Sequence, residues 1–303
     1  MNKPINIFIL SVGEKIYSTN RIYQEAKKKG HSVRIINHTK CSIKLSGGKR
    51  EIVYEGENII DIPDVIIPRI GASVTRHGAA VVKEFEMNGI FSTARSLGII
   101  RAQNKVRTLQ IMNRKGIPIP DTLFSVDTDN IKEQIELLGG APVVIKLQEG
   151  TQGVGVMLAE SKKSAKSIID TMYSMNNSIL LQEFIKESNS EDFRAFVVGN
   201  KILSAMKRKG LDDDFRSNIH RGGSGSVAVL TEQEQKMAIK AANYLGLPIA
   251  GVDIIRSKRG PLLIEVNSTP GLQGIEAYTK VNIAEGIINY VVNKCLKKNL
   301  KTK

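Results

Sequence analysis

The chain has 303 residues, 41% of them hydrophobic, and carries 44 Lys and Arg against 30 Asp and Glu, a formal net charge of +14. That length is long for one core and suits two or three small lobes, and charges interspersed with this apolar content exclude a globally disordered chain. No apolar run approaches the ~20 residues that span a bilayer, and Cys41 and Cys295 lack metal-ligand spacing, which fits a reduced cytoplasmic setting.

The first hundred residues alternate strand and helix signals. Ile5 to Val12 reads as a strand and not as a secretory signal, because no small-residue cleavage site follows it. A helix to Lys29 and a stop at Gly30 follow, then strands at Val33 to Asn37 and Asp64 to Ile70 and a helix at Ala79 to Met87. This βαβ pattern predicts a small parallel sheet. Its first turn, Ser11-Val12-Gly13-Glu14, lacks the GxGxxG fingerprint, which counts against dinucleotide binding by a dehydrogenase.

A helix over Gln103 to Lys115 ends at Gly116-Ile117-Pro118-Ile119-Pro120, a break that marks a lobe boundary. Beyond it lie a strand at Thr122 to Ser125, a helix at Ile131 to Leu138 and the strand Pro142 to Leu147. A glycine-rich turn, the strand VMLAE, a helix at Ser164 to Met172 and the strand Ile179 to Ile185 complete the second lobe. The third opens near Asp192 with a hairpin turned at Gly199-Asn200, then a polar loop from Arg216 to Gly223 and a helix at Glu232 to Leu245. A second hairpin over Gly251 to Gly271 and a C-terminal helix end the chain, with no internal repeat.

Four stretches carry chemistry. In the last hairpin, a turn near Arg259 sets Asp253 opposite Glu265, and Asn267 leaves the same face of the strand as Glu265. Converging oxygens suit a hard cation such as Mg2+, and equally an acid paired with a nearby Arg. The turn Glu149 to Gly155 lies between two strands and lacks the Lys-Ser/Thr pair of a P-loop, leaving a flap whose amides can approach phosphate or a plain hairpin. Lys146 just before it is either a point charge for phosphates or an edge-strand lysine facing water, and Lys105 is by default a solvated helix residue. The loop Arg216-Ser217-Asn218-Ile219-His220-Arg221 offers guanidinium forks for phosphoryl groups, or merely local ion pairs with Asp212 to Asp214. No Ser or Cys context makes His220 part of a nucleophilic triad.

Taken in order, VVIKLQEGTQGVGV, LLQEFI, DFRAFVV, DFRSNIHRGG and GVDIIRSKRGPLLIEVNSTPGLQGIE resemble the ATP-grasp superfamily, and within it the RimK group of glutamate ligases. IIPRIGASVTRHGAAVVKEFE extends the resemblance to nearly the whole chain. It implies an α/β fold (α+β in the ATP lobes): a small parallel βαβ domain at 1–102, a lobe with the glycine flap at 103–191 and a lobe with the metal site at 192–303. ATP would lie between the two lobes. Lys105, Lys146 and the flap's Gly150, Gly153 and Gly155 would meet its phosphates, while Glu183 and Phe184 would read adenine, with Phe184 standing where the family often has Tyr.

By the same resemblance Asp192, Arg216, Ser217 and Asn218 hold the nucleotide, and Arg216, Asn218, His220 and Arg221 serve phosphoryl transfer. Asp253, Glu265 and Asn267 would hold Mg2+ or Mn2+, two ions in all. The implied reaction is amide formation through an acyl phosphate, with L-glutamate added to the C-terminus of a small-subunit ribosomal protein, or to a small molecule or carrier protein. Family members are often tetramers. A basic surface attracts an acidic donor and product, but equally nucleic acid or membrane headgroups, and five lysines between Lys294 and Lys303 read as a solvated helix end. A basic ribosome- or RNA-binding protein with a degenerate ATP fold is the reading from another class; intact Lys146, Asp253, Glu265 and Asn267 count against it.

Overall fold

The structure, a computed structural model, describes residues 3–126, 130–148, 155–175, 177–211, 215–217 and 222–301, with 297–301 as backbone alone. The chain begins with β1 (Asn6–Leu10), α1 (Tyr17–Lys28) and β2 (Ser32–Ile36), where Gly30 turns the chain with a positive φ of 79°. The strands β3 (Ser42–Ser46), β4 (Lys49–Tyr54) and β5 (Glu57–Asn58) follow, then β6 (Val65–Pro68), α2 (Thr75–Met87) and β7 (Phe91–Ser92). Strands β2, β1, β6 and β7 lie in that order and pair in parallel. Ile7, Phe8, Ile9 and Leu10 are all buried, as a parallel strand covered on both faces requires.

The strands β3, β4 and β5 form a separate antiparallel sheet that the alternation of strand and helix did not predict. The helix expected over Gln103 to Lys115 is α4 (Lys105–Arg114), and a further helix, α3 (Ser96–Gln103), runs directly into it. Asn104 adopts an extended backbone between them, and its side-chain oxygen accepts from Arg107 N at 2.9 Å, so it starts a new helix and ends the old one.

The middle lobe comprises β8 (Thr122–Leu123), α5 (Ile131–Leu137), β9 (Val143–Leu147), β10 (Val156–Ala159), α6 (Lys162–Ser174) and β11 (Ile179–Glu183). Its antiparallel sheet runs β10-β9-β11-β8. The last part holds β12 (Glu191–Val198), β13 (Lys201–Lys209), β14 (Ser224–Val227), α7 (Glu232–Leu245), β15 (Ile249–Ser257), β16 (Gly260–Asn267), α8 (Gln273–Thr279) and α9 (Ile283–Lys301). Its sheet order is β14-β13-β12-β15-β16, antiparallel throughout. Helix α7 is fixed at one end by a Thr231–Glu234 capping box and at the other by Gly246 in the left-handed conformation.

The apolar interior is divided unevenly. Phe8, Ile66 and Phe85 of the N-terminal part share one core with Ala241, Val252 and Val266 of the last part, and Ile7, Ile9 and Ile67 share another with Ile283, Ile287 and Val291. The middle lobe packs separately around Ile135, Val143, Ile145, Ile169 and Leu181. Met112 and Ile117 belong to the first of these cores, so the chain enters the middle lobe only at β8.

Helix α3 meets α7 at Gly98, where an added Cβ would stand 2.6 Å from the backbone oxygen of Leu245. Gly98→Ala should therefore destabilise the protein by about 1–3 kcal/mol, read from urea denaturation. Gly71→Ala, whose Cβ would meet nothing within 4 Å, should leave the midpoint unchanged.

Candidate active site

Lys146 follows three buried residues on β9, a central strand flanked by β10 and β11, so the edge-strand reading fails. Its Nζ donates to Gln182 Oε1 at 2.5 Å, and Gln182 Nε2 donates to Thr122 Oγ1 at 2.8 Å. This relay crosses adjacent strands and fixes where the lysine points. Part of the side chain touches solvent, but the ammonium is deep in the protein, and burial pushes its pKa down to about 8. The nearby charge of Lys105 lowers it further, while Glu265 and Asp192 act in the opposite sense. Lys105, the first residue of α4, is half-buried and not on a solvated face. Lys146, from the middle lobe, thus meets two carboxylates of the last sheet and Lys105 of α4, the helix packed on α7 and β16.

The facing sheet supplies those carboxylates. Asp253 and Glu265 are register partners on β15 and β16, as the hairpin predicts, and a bulge follows directly after Asp253. Bulges re-aim side chains at sites of this kind. Asp253 is buried, and each of its oxygens is engaged. Arg194 Nε donates to Oδ1 at 2.7 Å, while Oδ2 accepts from Arg194 Nη2 at 2.6 Å and from Asn267 Nδ2 at 3.4 Å. Arg208 Nη2 lies 3.0 Å from the same oxygen and grips Asp192 as well, with Nε at 2.6 Å and Nη2 at 2.5 Å. Burial alone would raise the Asp253 pKa, but Arg194 and Arg208 hold it well below the usual carboxylate range. Burial alone would also discourage charge on Arg208, yet Asp253 and Asp192 raise its pKa above the ordinary value.

Sequence reasoning missed Arg194 and Arg208. The available signal was alternation: Arg194 is two residues from Asp192 on β12, hence on the same face. Register completes it, since Arg194 pairs with Asp253 and Asp192 with Arg208.

The other expected residues fall around this centre. Gly155 has a φ of +74°, and a Cβ there would stand 2.4 Å from Leu147 Cδ1, so the end of the glycine turn requires glycine. Glu183 has its side chain committed to the lobe junction, where its Oε1 accepts from Asp121 N at 2.7 Å and pairs with the Arg259 guanidinium. Phe184 meets Phe215 edge-on at 6.3 Å, and the Arg216 guanidinium lies 5.7 Å from the Phe215 ring. Arg216 Nη1 also donates to Val156 O at 3.2 Å, which joins the polar loop to β10. Ser217 follows it, half-buried. Gly150, Gly153, Asn218, His220 and Arg221 lie outside the described residues.

Two carboxylates and an amide are a partial cation site. Among the described residues no group of three His, Cys, Asp or Glu side chains could hold a metal, and Glu265 has no ion-pair partner there. The donor chemistry nevertheless fits a hard cation that takes its remaining oxygens from phosphate. Asp253 would have to yield part of its carboxylate from the two arginines.

Parallel sheet, antiparallel lobe and five-stranded lobe enclosing buried cations and carboxylates define an ATP-grasp enzyme. A RimK-like ATP-grasp domain model matches residues 102–291 and a RimK pre-ATP-grasp domain model residues 5–99. The chain therefore belongs to the RimK-like ATP-grasp family, ATP-dependent ligases that form C–N bonds. It is 46% identical over 299 residues to a probable alpha-L-glutamate ligase of Aliivibrio fischeri strain MJ11, covering 99% of both chains. Among solved structures, the ATP-grasp ligase PsnB complexed with minimal precursor superposes with a TM-score of 0.75 at 16% identity, covering 97% of this chain and 99% of that one. A RimK domain protein from Sphaerobacter thermophilus gives 0.72 at 17% identity, covering 94% and 98%. These two likenesses show the shared fold.

Two outcomes follow from the charges. Arg208→Met should destabilise the protein by about 3–5 kcal/mol in urea denaturation, because Asp192 and Asp253 would stay buried without their shared cation. A Lys146 amine with a pKa of about 8 is half deprotonated at pH 8, so binding a triphosphate should take up close to half a proton there and almost none at pH 6.5. Titration calorimetry in buffers of different ionisation enthalpy measures this, and Lys146→Arg should abolish the uptake.

Proposed function

We propose that this enzyme uses ATP and a divalent cation to add L-glutamate to the C-terminus of a small-subunit ribosomal protein in the cytoplasm. The observation that carries the ATP site is Lys146 of the middle lobe set across the cleft from Glu265 and Asp192 of the last sheet, with Lys105 of α4 beside them. A buried ammonium group such as that of Lys146, with a second lysine beside it, suits a polyanion. The glutamate donor rests on the name shared by the relatives at 46% identity.

In this reading the acceptor carboxylate attacks the γ-phosphorus of ATP, the bond to the ADP oxygen breaks, and an acyl phosphate forms. The amine nitrogen of glutamate then attacks the acyl carbon, the C–O bond to phosphate breaks, and the nitrogen releases a proton. Lys105, Lys146 and Arg216 spread the charge of the transferring phosphoryl group, with Ser217 lining the same site. Glu265, Asn267 and Asp253 would hold Mg2+ or Mn2+, which neutralises phosphate charge when bound. Asp192 acts through Arg208, which it orients. The acyl phosphate needs no covalent enzyme nucleophile, and its chemistry is provided for by the cations already described. Gly150, Gly153, Asn218, His220 and Arg221 complete the proposed machinery from outside the described residues.

Incubation of ribosomes with enzyme, ATP, Mg2+ and each amino acid in turn should give one small-subunit protein a mass gain in multiples of a glutamate residue. A gain on another protein, or on a small molecule alone, would displace the ribosomal acceptor. Tight RNA binding without ADP formation would replace the ligase reading altogether. Glu265→Gln should lower ADP formation by roughly 100-fold or more while leaving the melting temperature within a degree or two.

A further inference from the structure

The parallel sheet has its own topological switch point. Strand order β2-β1-β6-β7 reverses direction between β1 and β6, and ligands of open α/β sheets bind beyond the carboxyl ends of strands at such a point. Arg69 stands at that end of β6, with its backbone N–H still on the ladder to Leu10 O at 2.8 Å. Its side chain is 9% exposed. Nη2 donates to Pro270 O at 2.8 Å, Nε is buried with no partner, and among the described residues no carboxylate lies within ion-pair distance.

Pro270 belongs to the loop that follows the site residue Asn267. The two residues between them repeat the pattern: Ser268 Oγ and Thr269 Oγ1 are also buried without a partner. Each orphaned atom can donate a proton, and the arginine can do nothing else. A buried guanidinium with one backbone acceptor and no counter-charge is costly, and the burial pushes its pKa down to about 10. A role as a strut between Arg69 and Pro270 accounts for one of its five N–H groups and for neither hydroxyl.

We propose that Arg69, Ser268 and Thr269 form a carboxylate pocket for the incoming amino acid, so that the N-terminal domain selects the donor. This rests on the glutamate-ligase reading above. L-Glutamate reacts through its amine and keeps both carboxylates, so one of them is a permanent anion beside the reacting centre. The acceptor carboxylate loses its charge on activation and belongs beside the phosphate cations. A planar fork flanked by hydroxyls matches the spectator group.

The test is calorimetric titration of L-glutamate into the full-length protein saturated with a non-hydrolysable ATP analogue and Mg2+. Arg69→Gln should weaken glutamate binding ~100-fold and leave the nucleotide analogue within about twofold. Ser268→Ala with Thr269→Val, which keeps the arginine strut, should weaken it ~5–10-fold and carries the test if the Arg69 variant does not fold. L-Glutamine and the α-amide of glutamate identify which carboxylate is held. The wild type should reject one of them, and that discrimination should vanish in Arg69→Gln. Unchanged glutamate affinity in folded variants would overturn the pocket, as would a loss confined to an acceptor peptide with a free C-terminus. A wild-type protein that binds nucleotide but no glutamate would instead overturn the donor assigned under Proposed function, and this pocket's ligand with it.

Discussion

Arg194 and Arg208 lie on neighbouring strands and share Asp253 between them, with Asp192 closing the group on the far side. Two positive and two negative charges alternate across β13, β12 and β15, so the buried group is neutral as a whole. That neutrality allows a five-stranded sheet to expose charged chemistry on the face that looks into the cleft. Removing one member leaves a net buried charge, which is far more costly than losing an apolar contact. Position follows from the same bonds: Asp253 is the register partner of Glu265, and Asn267 donates to it, so the arginines indirectly aim the residues proposed to hold metal.

Against this fixed floor the middle lobe is an independent body. It has its own apolar cluster, whereas the N-terminal sheet and the last sheet are fused through two shared ones. Lys146 therefore reaches the carboxylates from a lobe with a core of its own. The Gln182–Thr122 relay holds the lysine in place within its own sheet, independent of what lies opposite.

Much of this was legible in the chain. The polar turn around Arg259 was enough to set Asp253 opposite Glu265, and Gly199-Asn200 and Gly30 punctuate the structure where expected. What stayed hidden depends on strand order. Nothing in the periodicity of Val143 to Lys146 tells a central strand from an edge, and that difference decides whether Lys146 faces water or a site. The small antiparallel sheet was missed although Gly47-Gly48, both at positive φ, is a hairpin signal, because β3 is almost wholly exposed and neither strand carries an apolar run along its whole length. Arg69 is further out of reach: its meaning comes from Pro270, about two hundred residues away in sequence.

The junction at Glu183, Asp121 and Arg259 bears on how such an enzyme responds to its surroundings. Arg259 sits on the turn of the last hairpin and ties the middle lobe to the fixed floor, yet its side chain is 52% exposed and that of Asp121 65%. Glu183 is drier, at 17%, but pairs with a partner this wet contribute at most about 1 kcal/mol, and salt weakens them further. The clasp between the lobes is thus an electrolyte-sensitive one, loosening as ionic strength rises, while the buried charges proposed to act on ATP are shielded from the same ions.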